Sequence, residues 1–337
     1  MPVRLPNIED VRAARERLGS RALRTPLLSH PALDARAGGR VLLKAESLQR
    51  VGAFKFRGAW NKIAQVDRGQ FPGGVVACSS GNHAQGVAAA ATMAGLASLI
   101  VMPADAPRLK IERTRAFGGE VHFYDRVSED RDAIATRLAG ERQAALVHPF
   151  DDADVIAGQG TVGLELMEQA AALGIAPDVV LVPCGGGGLI GGVSLAVKAA
   201  REATRVFAVE PARFDDMARS LASGRRERNA VLSGSICDAL LSPTPGEITF
   251  ALAQRNLAGG FVVTDAEVAD AIRFAFHELK LVLEPGGAVA LAAVLAGRVA
   301  TAGQTIACVL SGGNIDPGLF AELISAAPEP GMAVGSR

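Results

Sequence analysis

Lys55 is the residue through which covalent chemistry would run. An amine that loses its proton can attack a carbonyl carbon and form an imine, which a guanidinium does not do. It is one of only six lysines in 337 residues, and it stands in Gly52-Ala53-Phe54-Lys55-Phe56-Arg57-Gly58-Ala59, where small residues and an aromatic pair surround it as a helical period begins. A lone lysine at a helix start is more often simply solvated, so the motif needs partners. Pro183-Cys184-Gly185-Gly186-Gly187-Gly188-Leu189 supplies one, because it follows a strand pattern and opens a helix. Backbone N–H groups and the positive helix end cradle a phosphate in that context, and four glycines let the backbone approach an anion without Cβ interference. The dinucleotide fingerprint, with its G-x-G-x-x-G spacing and an acidic residue about 20 positions on, is not met.

Ser79-Ser80-Gly81-Asn82-His83-Ala84-Gln85-Gly86 joins another strand to a helix and offers hydroxyls, an amide and N–H groups suited to a carboxylate. For any one of these residues taken alone, ordinary N-capping by Ser or Asn is the better reading. Val309-Leu310-Ser311-Gly312-Gly313-Asn314 places a hydroxyl at a strand tip, and Glu210, Asp215 and Asp216 gather after Phe207-Ala208-Val209, where a hard cation would find oxygen ligands. Solvated surface acids are the competing reading. His83 reads as polar lining, whereas His30, His122, His148 and His277 have no partner pattern and read as structural.

These loops need a scaffold, and the pattern supplies it. Short β-branched runs alternate with Ala-rich stretches of helical period, which predicts a parallel sheet wrapped by helices. The clearest units are strand 75–78 before helix 83–94, strand 99–102 before helix 107–117, and strand 179–182 before helix 189–203. Further strands are expected at 120–124, 145–148, 206–209 and 306–310. Ligands in open α/β sheets sit beyond the carboxyl ends of strands, so loops 79–82, 183–188, 210–216 and 311–314 should converge on one crevice. Residues 223–245 predict an irregular connection.

Composition narrows the partners. Thirty-five basic against thirty-five acidic residues leave no net charge, which removes the footprint of a protein that grips nucleic acid or anionic membrane. Aromatics at 4% leave little for base stacking, while 49% hydrophobic and 21% charged residues suit a folded chain with a sizeable core, and the length favours two lobes over one. Small neutral or zwitterionic partners fit. The four cysteines, at 78, 184, 237 and 308, show no Cys-x-x-Cys or zinc spacing and predict reduced thiols. The N-terminus lacks the apolar stretch of a secretory signal, and Pro183 with six glycines interrupts the uncharged run 179–197, so a cytoplasmic, membrane-free protein is expected.

Taken in order, Lys44-Ala45-Glu46, Gly52 to Ala59, Ser79 to Gly86, Met102 to Val121, His148 with Ala157-Gly158-Gln159-Gly160-Thr161, Gly185 to Leu189, Glu210-Pro211, Glu284-Pro285 and Ser311 to Asn314 span nearly the whole chain. Together they resemble the fold type II pyridoxal-phosphate enzymes, within them the serine/threonine dehydratase and serine racemase group. The resemblance implies a two-domain α/β fold of tryptophan synthase β-like type. The large domain would comprise 1–71 and 150–325, a small mobile domain 72–149, and a flexible tail 326–337.

It also implies that Lys55 bonds the cofactor, Phe54 packs on its ring, Asn82 bonds the ring hydroxyl, Gly185, Gly186, Gly187 and Gly188 hold the phosphate, and Ser311 meets the pyridine nitrogen. Ser79, Ser80, Gly81, Asn82 and His83 would bind the substrate carboxylate. Ser80 would face Lys55 across the ring as a second proton carrier, and Arg131 would reach a distal acid group. Glu210, the carbonyl of Phe214 and Asp216 match a divalent-cation site, for Mg2+ or alternatively Ca2+ or Mn2+.

The implied activity is β-elimination of water from L-threonine or L-serine, giving a 2-oxo acid and ammonia. The alternatives are 3-hydroxyaspartate dehydratase, serine or aspartate racemase, and an inactive regulatory homologue. A homodimer is the family expectation. Three departures stand out: Ala53 replaces the usual serine, Asp238-Ala239 replaces Asp-Gly, and 235–250 differs from the better-known racemases. The chain stops near 325 without the regulatory extension of biosynthetic threonine dehydratases, so isoleucine feedback is not expected.

Overall fold

The computed structural model describes residues 4–106, 108–125 and 127–326. The expected tail, apart from Ala326, lies outside the described residues. The strands, in chain order, are Leu27–Leu28 (β1), Arg40–Ala45 (β2), Val75–Cys78 (β3), Ser98–Pro103 (β4), Glu120–Tyr124 (β5), Ala145–Leu146 (β6), Val179–Pro183 (β7), Arg205–Pro211 (β8), Leu257–Val263 (β9) and Thr305–Leu310 (β10). They form two sheets.

One has the order β1-β2-β10-β7-β8-β9, parallel except for the antiparallel β1–β2 pair, and the other the order β5-β4-β3-β6, parallel throughout. Every residue of β7 is buried, as is every residue of β10 except Thr305. That is the behaviour of strands covered by helices on both faces, and it explains their unbroken apolar runs. The parallel α/β architecture read from the sequence is what forms. The β-branched runs resolve as strands within two residues of their expected ends, and 223–245 is irregular apart from Ser223, which ends the helix Asp216–Ser223, and one short 3-10 turn, Asp238–Leu240.

β1, β2 and β9 were not anticipated. β9 begins Leu257-Ala258-Gly259-Gly260, and glycine pairs argue against a strand locally. Here they sit at a register irregularity where β9 joins the edge of the sheet beside β8. Parallel pairing brings the carboxyl ends of β10, β7 and β8 to one edge, so the loops that follow them share a side of the sheet.

The helix Lys55–Ile63 lies against the long helix Ala153–Ala172 at a contact with no room for side chains. A Cβ on Gly158 would stand 2.6 Å from the Arg57 carbonyl oxygen and 2.6 Å from the Gly58 Cα. Beneath that contact the Arg57 guanidinium is fully buried. It donates two parallel bonds to Glu46, both 2.8 Å, and two to Glu165, at 2.7 and 2.8 Å. Lys44 Nζ adds bonds to Glu165 at 2.6 Å, to the Thr25 carbonyl at 2.7 Å and to Gln169 at 2.9 Å. Two cations and two anions, dry and fully hydrogen-bonded, tie β2, the Lys55 helix and the Ala153–Ala172 helix together. Breaking such a set costs far more than an exposed pair would. All four cysteines are free. Among the described residues no helix is long and apolar enough to cross a membrane.

Candidate active site

Lys55 opens its helix, and its Nζ donates to the Pro149 carbonyl at 2.6 Å, 5.2 Å from the centre of the Phe54 ring. Its side chain is partly open and otherwise enclosed by protein. Burial pulls the amine down to about 8, against the opposing pull of the Glu284 carboxyl. An amine in that range spends enough time unprotonated near neutrality to act as nucleophile or base.

The strand-tip loop is bound to this segment. Phe54 N–H donates to the Ser311 carbonyl at 3.1 Å, and Ala53 pairs with Gly312 in an antiparallel bridge. Ser311 is only 5% exposed, and its hydroxyl has no hydrogen-bond partner among the described residues. A Cβ on Gly312 would fall 2.0 Å from Glu284 Oε1 and displace that carboxyl.

Asn82, first residue of the helix Asn82–Ala94, donates through Nδ2 to Glu284 Oε1 at 2.6 Å and accepts from Asn314 Nδ2 at 2.8 Å. Asn314 in turn accepts from Arg113 at 2.8 Å. Glu284 is pushed up to about 8 by burial and then by Asp238, with the Asn82 amide, Lys110 and Lys55 opposing. It therefore carries a proton at neutral pH. No side chain caps the Asn82–Ala94 helix; Ser79 Oγ instead accepts from Gly81 N–H at 3.1 Å, and Ser80 makes no hydrogen bond among the described residues. The capping reading of this loop thus fails, and the Ser80 hydroxyl remains free for a ligand.

His83 is buried, with Nε2 3.0 Å from the Val147 carbonyl and Nδ1 unpartnered. Burial, then the Lys55 charge, drives the ring down to about 3, so it is neutral and its Nε2–H donates to Val147.

The glycine loop joins β7 to the helix Gly188–Ala200. Among the described residues no acceptor takes the N–H of Gly185, Gly186 or Gly187. A Cβ on Gly186 would lie 2.5 Å from the Phe150 ring, and Gly187 has φ +93° with Thr249 and Met217 2.8 Å from its would-be Cβ. Three unspent donors in a loop that tolerates no side chain make a fitting anion cradle.

Of the expected cation ligands, Glu210 spends both oxygens on the N–H groups of Met217 (2.9 Å) and Ala218 (2.8 Å). Asp216 Oδ1 accepts from Asn229 at 2.7 Å, while its buried Oδ2 has no partner. Burial and their mutual repulsion raise Glu210 well above the carboxylate range, and burial raises Asp216 to about 6. Phe214 is buried between them in sequence. Among the described residues no group of three His, Cys, Asp or Glu side chains gathers to hold a metal. Across Glu210 and Asp216, the Asp216 Oδ2 is the one carboxylate oxygen left without a partner.

Arg131 is exposed at the start of the helix Arg131–Arg142, paired with Asp132 at 3.8 Å, and its charge is felt at Cys78, one residue before Ser79. It stands near the Ser79 loop but outside the Lys55 cluster.

His148, read as structural, accepts through Nδ1 from Asp151 N–H at 2.8 Å and from Phe150 N–H at 3.3 Å, which fixes the turn that follows it within electrostatic reach of Lys55. Glu284, Asn314, Pro149, Phe150 and Thr249 also belong to this neighbourhood. Only the Glu284-Pro285 and Ser311 to Asn314 motifs signalled any of them in the sequence.

A neutralisable lysine, an anion cradle and an open hydroxyl at a sheet edge are the parts of a carbonyl-cofactor site, and the comparison with known families agrees. The profile described as pyridoxal-phosphate dependent enzyme matches residues 20–312. The chain belongs to this family. L-threonine ammonia-lyase of Thermotoga maritima is 41% identical over 320 residues, covering 94% of this chain and 78% of the relative. L-threo-3-hydroxyaspartate ammonia-lyase of Pseudomonas sp. is 39% identical over 322 residues, covering 96% and 99%. Maize serine racemase superposes with a TM-score of 0.89 at 37% identity, covering 95% of this chain and 97% of that one. The fold of this pyridoxal-phosphate enzyme is accordingly the fold type II architecture of the dehydratases and serine racemases, and its unspent loop donors and lowered lysine fit that cofactor.

Proposed function

We propose that this pyridoxal-phosphate enzyme is an ammonia-lyase that removes water from a hydroxy amino acid such as L-threonine or L-serine, yielding a 2-oxo acid and ammonia. The observation that carries the reading is the Lys55 amine, lowered to about 8 and bound into the same sheet-edge neighbourhood as the open Ser311 hydroxyl. Pyridoxal phosphate, when bound, supplies the electron sink that acidifies the substrate Cα–H.

In this reading Gly185 to Gly188 hold the phosphate, Phe54 packs on the ring, and Asn82 and Ser311 meet its hydroxyl and nitrogen. Ser79 to His83 take the substrate carboxylate at the helix start. Lys55 removes the Cα proton, and the β-hydroxyl leaves as water after taking up a proton. The released enamine then hydrolyses to the 2-oxo acid and ammonia. A serine hydroxyl at the ring nitrogen does not keep it protonated as a carboxylate would, which favours expulsion of the β-hydroxyl over transamination.

Two neighbouring activities have support of their own. The free Ser80 hydroxyl can carry a proton to the opposite face, as racemisation requires. Arg131, whose charge is felt at Cys78 beside the Ser79 loop, would meet a distal acid and so admit 3-hydroxyaspartate, the substrate in the name of the Pseudomonas relative. Residues 72–149 would close as a small domain over 1–71 and 150–325, excluding water. Glu210, the Phe214 carbonyl and Asp216 would hold Mg2+. A cytoplasmic homodimer with reduced cysteines completes the reading.

The test is 2-oxo acid release from L- and D-serine, L-threonine and the 3-hydroxyaspartate isomers, with and without magnesium, alongside Lys55→Ala and Ser80→Ala. Lys55→Ala should lose turnover and the visible absorbance of bound cofactor; keeping both removes Lys55 from its role. Undiminished D-serine formation by Ser80→Ala would refute the second proton carrier.

A further inference from the structure

The chain between β6 and the Ala153–Ala172 helix, His148-Pro149-Phe150-Asp151, touches both halves of the proposed cofactor site. Pro149 gives its carbonyl to Lys55 Nζ at 2.6 Å, and the next residue, Phe150, lays its ring against Gly186 and its backbone against Gly188. Asp151 then reaches the helix Glu247–Asn256. That helix has no side-chain cap of its own; Asp151 accepts the N–H of Glu247 (2.8 Å), Ile248 (2.9 Å) and Thr249 (3.3 Å) from a distance of almost a hundred residues. The first turn of a helix exposes such donors, and a carboxylate there also meets the positive end of the helix dipole.

Thr249, so fixed, turns its hydroxyl to the Gly186 carbonyl at 2.7 Å, and Gly246 N–H supports the same oxygen at 3.3 Å. The Gly186 carbonyl and the Gly187 N–H belong to one planar trans peptide and point in opposite directions. Holding the oxygen toward Thr249 therefore aims the Gly187 N–H the other way, and that N–H is one of the three with no protein acceptor among the described residues.

We infer that Thr249 and Asp151 are positioning residues of the phosphate cradle: Asp151 fixes the helix start, Thr249 fixes the Gly186–Gly187 peptide, and neither touches the ligand. The inference rests on the proposed cofactor reading and adds to it a pair that aims the cradle's donors. It also makes 148–151 the segment whose contacts keep the Lys55 amine and the cradle in register.

The experiment compares two ligands that differ only in the phosphate. Apoprotein is titrated with pyridoxal 5'-phosphate and with pyridoxal, following the visible absorbance of the lysine-bound chromophore, for wild type, Thr249→Val, Thr249→Ser and Asp151→Asn. Valine keeps the shape of threonine and removes the donor. Thr249→Val should bind the phosphate form about tenfold more weakly, the worth of one hydrogen bond to a buried carbonyl, with pyridoxal binding unchanged. Thr249→Ser should restore the wild-type ratio, and Asp151→Asn should fall in the same direction as valine. Equal weakening of both ligands, or no change in the phosphate form, overturns the assignment. A wild-type protein that binds neither ligand overturns the cofactor reading itself, and this assignment with it.

Discussion

Replacing Glu284 by glutamine should stabilise the protein, and by more as the pH rises. The carboxyl sits 5% exposed behind Gly312 and Asn82, where burial and Asp238 raise it from 4.5 to about 8. In the folded chain it keeps its proton through a pH range in which the unfolded chain has lost it. Below 4.5 the group is neutral in both states and contributes nothing. Between 4.5 and 8 the unfolded state gains about 1.4 kcal/mol of relative stability for each pH unit, and above 8 the difference is constant. Glutamine never ionises and still offers an oxygen to Asn82 Nδ2. The variant's advantage should be roughly 1 kcal/mol or less at about pH 5, reach roughly 3 kcal/mol at about pH 7, and level off at ~5 kcal/mol above about pH 8. Urea unfolding of protein without added cofactor, at about pH 5.5, 7 and 8.5, measures it through the shift in midpoint at constant slope. A midpoint difference that does not change with pH, or a wild type that gains on the variant as pH rises, would refute the reasoning.

Arg57→Met leaves the buried Glu46 and the largely enclosed Glu165 with only Lys44 to share between them, so urea unfolding at neutral pH should show a loss of about 3–5 kcal/mol. Gly158→Ala puts a methyl group 2.6 Å from backbone atoms of Arg57 and Gly58, which cannot rotate away. The Lys55 helix must move, at a cost of about 1–3 kcal/mol, and the visible absorbance of bound cofactor should fall with it; a variant as stable and as coloured as wild type would show that the helix contact tolerates the methyl.

The parts of the site that were legible in the sequence are those whose chemistry is local. Lys55 between two phenylalanines, four glycines between an apolar strand and a helix, and Ser311 at a strand tip each announce a backbone conformation or a reactive group through immediate neighbours. What stayed hidden depends on pairs far apart in the chain. Pro149 carries no chemical signal in the sequence; its place comes from Lys55 on another element, whose amine its carbonyl accepts. Asp151 reads as one acid of an Asp-Asp pair and caps a helix almost a hundred residues away.

The sequence by itself therefore determined the alternation of strands and helices and the edge at which their loops meet. β-branched runs, apolar period and glycine positions act within a few residues of themselves. Only the tertiary structure decided the protonation of Glu284, the neutrality of His83 and the aim of the Gly187 N–H. Burial, opposing charges and a pinned peptide are properties of what surrounds a group in space, and these three are surrounded by residues tens to hundreds of positions away in the chain.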